Sequence, residues 1–199
     1  MLVRIDKDIQ NIQQAIADVI SRIDVIHIEY SQAIAVAVQQ QILLAVFKFC
    51  TQKCPDAFLA LSLSARQNLQ EALRQRIKLL CDQMQTTLAN CDRDSRTNQE
   101  NLDTLLSKLL NESMEILNQL LVEHQVLSAE ANKNKDDQNA QMNIRLAEIE
   151  FTDRKVMSHR GELRVLSARL AHLHNELEKK YQQKTIAEAE LAWRAAWVG

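Results

Sequence analysis

The chain has 199 residues, is 46% hydrophobic and 25% charged, and carries a net charge of -2, yet it holds only 2 Gly and 1 Pro. Average usage would give roughly 14 Gly and 10 Pro. So few turn-formers exclude sandwiches, barrels, βαβ units and phosphate-cradling glycine loops, and leave a small number of long helices. Neither charge sign dominates, so no global field draws the chain to nucleic acid or to an anionic membrane.

The first helix is expected over 2–53. Its apolar residues recur at Leu2, Ile5, Ile9, Ile12, Ile16, Val19, Ile23, Ile26 and Tyr30. These alternating steps of three and four make a heptad seam, and β-branched residues at both seam positions favour assemblies of more than two helices. From Ala33 onward several faces are apolar, so the helix should be buried on more than one side. The run from Ala33 to Cys50 is interrupted by Gln39, Gln40 and Gln41 and carries Lys48. By this reading it falls short of the ~20 apolar residues that span a bilayer. The N-terminal MLVRIDKDIQ lacks the basic-then-apolar plan of a signal peptide. A soluble, cytoplasmic protein is expected.

Pro55 ends the first helix, because proline restricts the residue before it and lacks a donor. The connector 54–63 should tuck Phe58, Leu59, Leu61 and Leu63 inward. A second helix over 64–130 opens with Ser64 and Gln67 at capping-box spacing. Its stripe is Leu69, Leu73, Ile77, Leu80, Met84 and Leu88, resuming after the polar 92–100 stretch at Leu102, Leu106, Leu109, Ile116, Leu120 and Leu127. Leu105, Leu110, Leu117 and Leu121 widen the resumed stripe, so that part should face two neighbours. Over 92–100 the helix is expected to continue as a weak, solvated stretch, with a break near Asp94 or Ser95 as the alternative. The Asn- and Asp-rich 131–141 reads as a loop.

A third helix over 142–197 carries the seam Ile149, Val156, Leu163, Leu166, Leu170, Leu173, Leu177 and Leu191. Lys180 and Lys184 fall on this seam, which predicts that it opens to water there or outruns its partner. The expected fold is all-α: one elongated antiparallel coiled-coil bundle of about three long helices, forming a single domain over 1–199.

Candidate chemistry is sparse. Cys50 and Cys54 share a helix face, while Cys81 and Cys91 lie about 15 Å apart along a helix. That spacing opposes a paired-disulfide hairpin or a four-thiolate zinc site, and points to reduced thiols used as small hydrophobes. The histidines His27, His124, His159, His172 and His174 form no Glu-x-x-His pair, so no metal site or other cofactor is expected. No Gly-x-Ser-x-Gly or Walker-type loop is present, and no catalytic residues are assigned. Arg154, Lys155, Arg160, Arg164 and Arg169 are a local basic excess, but at helical spacing they scatter around the axis rather than line one face.

The least ordinary segment is LAWRAAWVG. Both tryptophans of the chain, Trp193 and Trp197, share one face at i, i+4 spacing, with Arg194 beside them. Tryptophan and arginine are enriched among interface anchors. Two readings stay open here: a docking face, or a cap over the end of the bundle. The segments CPDAFLALSLSARQNLQEALRQ and AEAELAWRAAWVG resemble pieces of uncharacterised helical coiled-coil proteins of cyanobacteria, over about a fifth of the chain. That resemblance implies a helical fold and no activity. The expected function is a non-enzymatic coiled-coil interaction or scaffold protein, self-associating or bound to a protein partner. The alternatives are a peripheral membrane-associated protein and, behind it, a nucleic-acid-associated one.

Overall fold

A computed structural model describes residues 2–90, 99–128 and 141–197. Of these, 91% are helical and none forms a strand, as the composition requires. In chain order the elements are α1 (Leu2–Lys48), a π-helical turn (Phe49–Lys53), α2 (Pro55–Ala60), α3 (Leu63–Ala89), α4 (Gln99–Glu123), α5 (Leu146–Thr152) and α6 (Arg154–Trp197). The chain divides into two compact units, one of Met1–His27 with Gly161–Gly199, the other of Ile28–Arg160. α1 and α6 each contribute to both.

In the second unit, the α1 core residues Tyr30, Ile34, Val38 and Ile42 are fully buried. The α3 stripe of Leu69, Leu73, Ile77, Leu80, Met84 and Leu88 is buried at the spacing read from sequence. Along α4 the buried line is Leu102, Leu106, Leu110, Leu117 and Leu121. It is rotated from the expected Leu109, Ile116 and Leu120, because the helix turns Ser113 and Met114 inward.

Helix ends differ from expectation where local chemistry intervenes. α1 stops in a π-helical turn in which the Cys54 N–H donates to the Phe49 carbonyl at 2.9 Å, and Pro55 then opens α2. The 54–63 connector is therefore partly a short helix, and Leu59 and Leu63 point outward rather than in. α3 begins one residue earlier than expected and is capped by Ser62, not Ser64: the Ser62 hydroxyl accepts from the Ala65 N–H at 3.2 Å. The Arg66 guanidinium lies over the Phe58 ring and donates to the Leu59 carbonyl, closing the connector.

α4 ends at Glu123 rather than near 130. Gln125 takes the left-handed conformation at φ 61, with Val126 N–H donating to Leu121 O and Gln125 N–H to Val122 O. This is a Schellman stop made without the usual glycine. The expected weak stretch near 92–100 lies largely outside the described residues, as does all but the last residue of the 131–141 loop.

The third helix does not start at Met142. The Met142 backbone is non-helical and is held by the buried Asn118 side chain, which donates to the Met142 carbonyl at 2.9 Å and accepts from its N–H at 3.0 Å. Asp153 then interrupts what was expected to be one helix. It ends α5, and its carboxylate accepts from the Lys155 and Val156 N–H groups to start α6.

Candidate interaction surfaces

In the first unit the start of α1 runs antiparallel to the end of α6. Ile5 and Ile9 bury against Ala187, with Leu2 and Leu177 packed on this cluster. Lys184 donates across to Asp6 and Lys180 to Asp8, each at 2.8 Å. Gln13 donates to the Tyr181 hydroxyl at 3.0 Å, and Arg22 pairs with Glu162 at 2.7 Å. The lysines that sequence spacing placed on an opened seam thus meet aspartates on the facing helix. Lys180 holds the Asp8 carboxyl below the usual carboxylate range, and Asp6 raises the Lys184 ammonium.

Beyond Ala187 the character changes. Every residue from Glu188 to Trp197 is exposed. Trp193 and Trp197 lie about 9 and 15 Å farther along the axis than Ala187. They are 68% and 74% exposed, with ring centroids 5.8 Å apart and planes tilted by 32°. Arg194 is exposed beside them. Ile186, 60% exposed, lies on the same side of the helix at 3.6-residue periodicity. Sequence reading paired the two indoles but passed over Ile186, whose spacing to Trp193 is one heptad.

A second exposed apolar row runs along α1 through Ile28, Val36, Leu43 and Phe47. This helix carries an 18-residue window of mean hydropathy 1.7 and so is long and apolar enough, by length and composition, to cross a membrane. The glutamine interruption was expected to prevent that. Of the window, 44% is buried within the protein, where Ile34, Val38 and Ile42 serve the core.

The basic excess on α6 is not a uniform surface. Arg154, Lys155, Arg164 and Arg169 are exposed, but Arg160 is buried. Its guanidinium pairs with Asp103 from α4, lies 3.5 Å from Glu150 of α5, and stands 5.8 Å from the Tyr30 ring centroid. The Tyr30 hydroxyl donates to Glu150 at 3.1 Å. Burial, and then the Glu150 charge, raise the Tyr30 phenol far above its ordinary 10.0. Four separate segments meet at this point, which no local motif could announce.

Cys50, Cys54 and Cys81 are free thiols. Burial pushes Cys50 up to about 11 and raises Cys54 and Cys81, so all three hold their protons at neutral pH. Cys81 donates to the Ala35 carbonyl at 3.4 Å. A protonated thiol is a weak nucleophile. Among the described residues no three His, Cys, Asp or Glu side chains gather as a metal site; Cys91 lies outside them. Comparison with protein-family models, curated proteins and solved structures finds no match for this chain.

Proposed function

We propose that the protein is a non-enzymatic, cytoplasmic helical interaction or scaffold protein that docks a protein partner through Trp193, Arg194 and Trp197. The observation that carries this reading is the pair of adjacent indoles left 68% and 74% exposed at the end of α6. Exposing two tryptophans together forgoes several kcal/mol of burial (about 1.5–3 for a large apolar side chain), which a partner would recover. Indoles flanked by an arginine are also the usual composition of an interface hot spot. The sequence shows no nucleophile-elbow or phosphate-loop motif, which supports a role without catalysis.

The test compares proximity capture by the intact protein and by a Trp193→Ala/Trp197→Ala variant. The proposal expects loss of a specific partner with the melting temperature almost unchanged. A fall in melting temperature matching loss of buried Trp, about 3–5 kcal/mol per side chain, would return the indoles to a capping role.

A second reading, peripheral membrane association, draws on the exposed Ile28, Val36, Leu43 and Phe47 row. Flotation of the protein with anionic vesicles, lost on Val36→Asp/Phe47→Asp substitution, would favour it. Nucleic-acid association stands behind both, since the basic excess loses Arg160 to the interior.

A further inference from the structure

We propose that the partner of the tryptophan face is a second copy of this chain, joined antiparallel about a two-fold axis; this rests on the docking reading above and names its occupant. The argument starts from angular position. At 100° per residue, Ile186, Trp193 and Trp197 fall within about 40° of one another, roughly a quarter-turn from Ala187, which faces α1. The stripe therefore belongs to a different partner from the one that α1 supplies. Its two flanks are unlike. The flank toward Ala187 carries Glu190 and Arg194, and the other carries Ala189 and Ala196. Glu190 and Arg194 are exposed, and neither has an ion pair among the described residues.

This asymmetry selects an orientation. In a parallel pair of helices the flank of one faces the opposite flank of the other, so the charges would meet alanine. In an antiparallel pair like flanks face each other, and flanking charges set partner and direction. A two-fold interface is self-complementary, so a contact from residue i to j is matched by one from j to i. Placing the axis at the level of Ala192 sets Glu190 of each copy opposite Arg194 of the other. The same register brings the two Trp193 side chains across the axis and puts each Trp197 beside the other copy's Ile186. One register thus satisfies both charges and all three apolar residues.

The area sets the strength. Two indoles bring no more than about 300–500 Å² per chain, short of the ~800 Å² per partner of a standard interface. The pairing is therefore reversible and concentration-dependent.

The experiment is sedimentation of the full chain from about 1 to 300 µM, a range suited to a small, weak interface. Wild type should move from monomer to dimer across it. Arg194→Glu and Glu190→Arg should each weaken dimerisation by about tenfold, because each sets two like-charge contacts in place of two attractions. An equal mixture of the two variants should restore dimerisation as a one-to-one heterodimer, and so should the double swap in one chain. Circular dichroism should show all variants as helical as wild type. Overturning results are a mixture no tighter than either variant alone, or wild type monomeric throughout. If the monomer's indoles are then readily quenched by acrylamide, the docking face survives and only its self-pairing falls. Shielded indoles in that monomer would remove the docking reading as well.

Discussion

The two compact units handle charge in opposite ways. In the Ile28–Arg160 unit, Arg160 is buried under Tyr30 and ties together Asp103 and Glu150 from separate helices. In the other unit, charged residues line the edge of a narrow apolar seam, and Asp6–Lys184, Asp8–Lys180 and Arg22–Glu162 remain partly open to water. A charge taken from water is held in place by its partners, because leaving it unpaired is costly. An exposed pair gives direction and register but little energy. The charges of one unit are thus fixed among buried partners, while those of the other stay at its edge, on the same helix α6 whose end leaves Trp193 and Trp197 exposed.

Removing Arg160 should break this contrast most severely. Arg160→Ala leaves Glu150 and Asp103 without their cation and should cost about 3–5 kcal/mol in chemical denaturation. Adding Glu150→Leu to Arg160→Met should recover part of that loss, since an apolar replacement removes the stranded charge. A loss below 1 kcal/mol for Arg160→Ala would contradict the buried network.

Alkaline pH attacks the same unit. Cys50 binds its proton more tightly when folded, about 11 against the ordinary 9.0. The unfolded chain therefore ionises first: the contribution is complete below pH 9 and is lost as pH rises toward 11. The raised Tyr30 phenol acts in the same direction from pH 10 upward. The melting temperature should fall above pH 9, and Cys50→Ala should flatten the slope between 9 and 11. An equal slope in that variant would remove the thiol from the account.

Smaller effects belong to the seam. Gly161 lies inside α6 with nothing within 4 Å of a Cβ built there. Gly161→Ala should stabilise by about 0.5–1 kcal/mol in the same denaturation assay, through backbone entropy alone. Arg22→Met, which removes an exposed pair, should cost no more than about 1 kcal/mol, and less in high salt. A larger or salt-independent loss would place that pair with the buried class.

What could be read in the sequence follows the range of the interactions. The α3 stripe from Leu69 to Leu88 was legible because burial on a helix repeats locally. The stop after Glu123 was not, since Gln125 adopts a left-handed conformation that glycine normally signals. The non-helical Met142 is held by Asn118, 24 residues earlier. Asp153 as a cap was readable in principle, as an acid just before a helical run, and was passed over. Arg160 looked like one of several surface cations because its acidic partners come from α4 and α5. At the candidate site the two tryptophans and Arg194 were evident from spacing. Their exposure was open, because it depends on what faces that side of α6.

The chain's two tryptophans both lie in that segment, so tryptophan fluorescence reports on it alone. At low micromolar concentration, where a weak interface is dissociated, the account predicts red-shifted emission that acrylamide quenches readily. It further predicts a melting temperature that Trp193→Ala/Trp197→Ala leaves almost unchanged. Blue-shifted, poorly quenched emission, together with a large fall in melting temperature for the double variant, would contradict it and make the indoles part of the folded core.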